Sequence, residues 1–180
     1  RRHANLTGKP GSEPRLILWT EAAIPQHICD MDENGAQIRA RLAGLLGPRD
    51  ILLLGNDHIF RHSKRAADYV ETIWVGAANS VFALDAGAQP LWRYDKAHLV
   101  PYGKYLALRW LLEPLGAARL VPGNLDFWPG PGPRSYGIPG FGNVGIQIWY
   151  EIIFSGEVVD RANRPDFIFN PSNDAWFGGW

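Results

Sequence analysis

Cysteine occurs once in the 180 residues, at Cys29, so no disulfide within the chain can staple this fold and its core must hold by packing. An excess of either charge is also missing. Lys plus Arg and Asp plus Glu number 18 each, a formal net charge of zero, which removes the basic surplus that nucleic-acid binding would require. No apolar run approaches the roughly 18 to 20 residues that span a bilayer as a helix. Arg1, Arg2 and His3 are followed by no hydrophobic stretch that would make them a signal peptide. His58 and His62 have neither cysteine nor acidic partners at ligand spacing, so this tract predicts no metal site, and with Arg61, Lys64 and Arg65 they read as a solvated loop.

What is present is aromatic and layered. Eight tryptophans and 46% hydrophobic residues suit one domain over 1–180 with a sizeable core. Arg15 to Trp19 reads as a first strand, with Glu21 just outside it. Asp30 to Leu46 has helical periodicity, Ile38, Leu42, Leu45 and Leu46 forming its apolar face, and Gly47-Pro48 ends it. Ile51 to Leu54 is a fully apolar strand closed by Gly55-Asn56. Asn79 to Leu84 and Leu91 to Tyr94 predict a hairpin across Asp85-Ala86-Gly87, with Asn79 and Ser80 opening its first strand. Leu106 to Leu115 is a helix candidate whose leucines suit core packing or a lipid-facing entrance. Pro122 to Gly140 reads as an irregular excursion, Gly156 to Ala162 as a short helix, and Phe167 to Asn170 as another strand. Helix and strand alternation makes the class α/β.

The stretch on which function turns is Val144 to Phe154, VGIQIWYEIIF. Its β-branched start is a buried strand, and it breaks into two aromatics and a carboxylate. A strand that runs into a sharp turn is where α/β enzymes lift a nucleophile clear of the sheet.

Four segments, LILWTEAAIP (16–25), RYDKAHLVPYGKYL (93–106), IWYEIIF (148–154) and FIFNPSNDAWFG (167–178), occur in one order over nearly the whole chain. Together they resemble the nitrilase superfamily and, within it, the catalytic domain of the apolipoprotein N-acyltransferase family. The resemblance implies a four-layer α-β-β-α sandwich, incomplete at both ends, with the family's transmembrane helices outside this chain. It implies Glu21 as general base and Lys96 as the cation stabilising an oxyanion, with position 149 as nucleophile and no cofactor or metal. Tyr150, Glu151, Asn173 and Trp176 would support or border the acyl pocket. The implied partners are a phospholipid acyl donor and a diacylglyceryl lipoprotein acceptor, at the periplasmic face of a bacterial inner membrane. A nitrilase-type amidase is the weaker alternative within the superfamily.

Three positions depart from that pattern. Thr20 stands at the family's proline. Lys104 stands where the family has a glutamate, and a cation there would reverse the local field and tend to lower the Lys96 pKa. Trp149 stands at the nucleophile, and an indole offers one N–H, no basic lone pair and no accessible anion near neutral pH. The chain as written is therefore expected to form no acyl-enzyme. A non-catalytic relative that binds lipid or a partner is the alternative from a different class.

Overall fold

The computed structural model describes residues 2–28, 33–65, 70–99 and 126–173. A short helix, α1 (Arg2–Thr7), occupies the polar lead and precedes β1 (Leu16–Trp19) and α2 (Glu33–Ala43). Next come β2 (Ile51–Arg65), β3 (Val70–Leu84), β4 (Pro90–Asp95), β5 (Ser135–Ile138), β6 (Gly142–Ile146) and β7 (Phe167–Phe169). The first sheet has the order β1-β2-β3-β4, with β1 parallel to β2 and the other pairs antiparallel. The second has the order β5-β6-β7, antiparallel and then parallel.

Side chains alternate across a strand, and the apolar run at the start of β2 therefore serves two cores. Leu52 and Leu54 join Phe82, Leu84 and Trp19 on the face covered by Leu42 and Leu46, from α2 and the turn behind it. Ile51 and Leu53 join Val81, Ala83 and Tyr94 on the other face, packed against Ile138, Val144, Ile146 and Ile148 of the second sheet. Each such fully buried side chain is worth roughly 1.5–3 kcal/mol over its exposed state. The result is helix, sheet, sheet: three consecutive layers of the expected α/β sandwich among the described residues. Arg15 and Asp50 fix the sheet's entry. The Asp50 carboxylate accepts from the Arg15 backbone N–H and guanidinium Nε at 2.9 Å each, from Nη2 at 2.5 Å, and from Gly47 N–H at 2.7 Å.

Four expectations are corrected. The tract around His58 and His62 is not a solvated loop. It is the continuation of β2, because its backbone groups pair with β3 out to Arg65 opposite Val70. Asn79 and Ser80 therefore lie within β3 rather than at its start. The Pro122 to Gly140 excursion contains a strand, β5, whose pairing with β6 overrides the flanking proline and glycine. Gly156 to Ala162 forms turns and bends instead of a helix, and Asp160 accepts there from the backbone N–H groups of Ala162 and Asn163. Cys29, the 106–115 helix candidate, Lys104 and Trp176 lie outside the described residues.

Candidate active site

The strands deliver their polar residues to one region. Glu21 sits in the turn after β1, nine-tenths buried, and its Oε1 accepts from Asn79 Nδ2 at 2.5 Å. Gly55 makes this turn possible. A Cβ there would lie 2.5 Å from the Thr20 carbonyl oxygen and 2.7 Å from Glu21 Cα, and Ala23 N–H donates to the Gly55 carbonyl at 3.0 Å. Only a residue without a side chain lets the Glu21 turn lie flat on β2.

Lys96 follows β4 and is buried, 3% exposed. Its N–H donates to the Asn79 carbonyl at 2.8 Å, and its own carbonyl accepts from Gly130 N–H at 2.8 Å. Asn79 thus holds the carboxylate with its side chain and the lysine with its backbone. In the sequence this residue looks like a strand-opening polar position. The available signal was an asparagine between apolar runs in a strand, since a buried amide must be paired.

The elbow follows β6. Trp149 has φ of +55°, a left-handed conformation that costs a bulky residue about 1–2 kcal/mol and holds only when its surroundings over-determine it. Its N–H donates to the Pro171 carbonyl at 3.0 Å, and its carbonyl accepts from Asn170 Nδ2 at 3.1 Å. The segment after β7, which leads on to the half-buried Asn173, therefore clamps the elbow residue from both ends of its peptide unit. Trp149 opens a 3₁₀ turn that runs to Ile153.

Glu151 is the second hub. It is 1% exposed and does not face an open pocket. Its Oε1 accepts from Ala97 N–H at 2.7 Å and His98 N–H at 2.9 Å, its Oε2 accepts from Ile148 N–H at 2.7 Å, and the Tyr94 hydroxyl lies 3.1 Å from both oxygens. One carboxylate therefore ties the Lys96 segment to the elbow. Burial, and next the Glu151 charge, push the Tyr94 hydroxyl well above its usual range; burial, and next Glu151, also raise Tyr150.

The aromatic pair closes over the lysine. Lys96 Nζ lies 5.4 Å from the centre of a Trp149 ring and 5.0 Å from that of Tyr150, both within cation–π reach. The indole stands beside the cation. Among the described residues no group of three His, Cys, Asp or Glu could hold a metal, and no helix is long and apolar enough to cross a membrane. Chemically the arrangement offers a buried carboxylate and a buried cation around a strained elbow that carries no nucleophile.

No protein-family profile matches the chain. Among curated proteins it is 35% identical over 164 residues to an apolipoprotein N-acyltransferase of Bradyrhizobium diazoefficiens, covering 91% of this chain and 28% of that protein. It is 32% identical over 181 residues to the protein of the same name from Allorhizobium ampelinum, covering 98% of this chain and 32% of that one. The chain thus spans under a third of the length of these relatives. Among solved structures, an amidase from Nesterenkonia sp. aligns at a TM-score of 0.48 and 16% identity, over 87% of this chain and 51% of its own.

Proposed function

We propose that this chain, a homologue of one segment of the apolipoprotein N-acyltransferases, carries the acyl-transfer site of that family with its nucleophile position plugged. The observation that supports this reading most is the left-handed elbow at Trp149 beside buried Lys96, with Glu21 joined to the same strand through Asn79. In the full reaction a thiolate at the elbow would attack the ester carbonyl of a phospholipid acyl chain. The C–O bond breaks, a thioester forms, and the lysophospholipid alkoxide takes the proton held by Glu21. The free α-amine of a diacylglyceryl lipoprotein would then attack the thioester and give up a proton to Glu21, and the C–S bond would break to leave the thiolate with which the cycle began. Lys96 would stabilise both oxyanions. The setting this implies is the periplasmic face of a bacterial inner membrane.

Trp149 stops the cycle at its first bond, because the indole nitrogen has no lone pair to donate. Its ring on Lys96 supports the second reading, a non-catalytic pocket that holds lipid or a partner.

The test is intact-mass analysis after incubation with phosphatidylethanolamine, in a Cys29→Ser background so that any adduct maps to the elbow. The chain with Trp149 should gain no mass. The Trp149→Cys variant should gain one acyl chain and lose that gain when Lys96 becomes Met. An acyl adduct on the Trp149 chain, or none on a folded Trp149→Cys variant, overturns the proposal.

A further inference from the structure

The site leaves one large feature unused, the outer half of the β2–β3 ribbon. β1 pairs with β2 only over Ile51–Leu54, and β4 pairs with β3 only over Ser80–Leu84 apart from an offset at Leu84–Pro90. From Arg61 outward the ribbon has no further strand beside it among the described residues.

Its base is rigid. Phe60 stacks on Trp128 at 4.8 Å, the Arg93 guanidinium lies 5.5 Å from the Phe60 ring, and Trp128 N–H donates to the Ala77 carbonyl at 2.7 Å. Gly76 admits that indole, since a Cβ there would meet it at 2.5 Å. Beyond the irregularity between Phe60 and Arg61 the chemistry changes. Ile73, Trp74 and Val75 are 45%, 56% and 43% exposed in succession. The register skips Val75, which is the extra residue of the irregularity, while Ile73 and Trp74 alternate and so lay apolar surface on both faces of the ribbon.

The opposing strand reads Arg61, His62, Ser63, Lys64, Arg65, with three formal positive charges and no acidic residue, and the register sets Lys64 opposite Glu71 of β3. The register sets Arg61 opposite Trp74 and His62 opposite Ile73, and cross-strand partners share a face. Indole and guanidinium side by side, each with an apolar body and a polar edge, match the zone between lipid headgroups and acyl chains. The basic strand complements anionic headgroups.

We propose that the distal β2–β3 ribbon is a membrane-interface anchor, which seats Ile73, Trp74 and Val75 among the acyl-chain boundaries of an anionic phospholipid surface and sets Arg61 and the basic strand against its phosphates. The anchor does not depend on the acyl chemistry, and its test needs no reaction.

The experiment is co-sedimentation of the whole chain with vesicles of phosphatidylglycerol and phosphatidylcholine, or of phosphatidylcholine alone. Its comparison is the triple variant Ile73→Ser, Trp74→Ser, Val75→Ser, whose fold is checked by circular dichroism. These side chains are exposed, so the fold should persist. The chain should bind the anionic vesicles, release with salt, and partition roughly tenfold less in the triple variant. Brominated acyl chains should quench a fluorescence component that Trp74→Phe removes. Equal sedimentation of the folded variant, or equal binding to phosphatidylcholine alone, overturns the anchor. Loss of a concentration-dependent dimer in the variant, with vesicle binding unchanged, also overturns it and assigns the strip to a second copy of the chain.

Discussion

Trp149 and Glu151 stand two positions apart and treat the site in opposite ways. Trp149 occupies a left-handed conformation beside a buried cation and contributes an inert ring. Glu151 is wholly buried and satisfied by three backbone N–H groups and one hydroxyl. A carboxylate suits that place because it only accepts, and every group facing it in these contacts donates. Glu151→Gln turns one acceptor into an NH₂ group confronting donors and should lower stability by about 1–3 kcal/mol. Urea midpoints would read this directly, and a midpoint equal to that of the unaltered chain would mean that Glu151 is not the brace between elbow and Lys96 segment. Glu21, Lys96 and the elbow were legible in the sequence as motif positions. Asn79 and Gly55 were not legible as parts of the site, because their task is to hold backbone or a neighbour. In sequence an asparagine or glycine at a strand end reads as an ordinary turn former.

At the scale of elements, what sequence could reveal was burial. Ile51–Leu54, Val81–Leu84 and Val144–Ile146 are largely apolar runs, and each forms a buried part of a strand. What sequence could not reveal was backbone pairing. The β2 extension is built of His, Arg, Ser and Lys, whose composition suggests a loop, yet its ladder with β3 continues for pair after pair past the last buried residue. β5 was hidden for a related reason. Pro131, Pro133 and Pro139 flank it, and only the proximity of β6 turns Ser135–Ile138 into a strand. The expected helix at Gly156–Ala162 fails because Asp160 serves as a side-chain acceptor for the next N–H groups, a local alternative to helical bonding.

For the molecule as a whole, buried Asp50 and Tyr94 and half-buried His58 shape the pH range of stability. The Arg15 guanidinium and further N–H donors hold Asp50 below its usual 3.8, against an opposing effect of burial, so its contribution is present above that value and is lost as pH falls through the lowered pKa. Burial, then Arg93, holds His58 below 6.5. The unfolded chain takes a proton there first, and stability falls as pH drops below about 6.5. Tyr94 is raised above 10.0, and the unfolded chain loses its proton first, so stability falls again as pH rises beyond about 10. Urea midpoints should therefore form a plateau between these limits and decline on both sides. A midpoint that climbs steadily from pH 7 down to pH 4 would contradict the assignment of His58 and Asp50.

The central claim is that position 149 is a nucleophile's place occupied by a side chain that cannot act. The most direct measurement is the pH dependence of iodoacetamide alkylation in a Trp149→Cys, Cys29→Ser chain. With the Lys96 cation beside it, the introduced thiol should titrate below the ordinary value of about 8.5, and Lys96→Met should move it back up. A thiol at the elbow that titrates at or above about 8.5 with Lys96 intact would contradict the account.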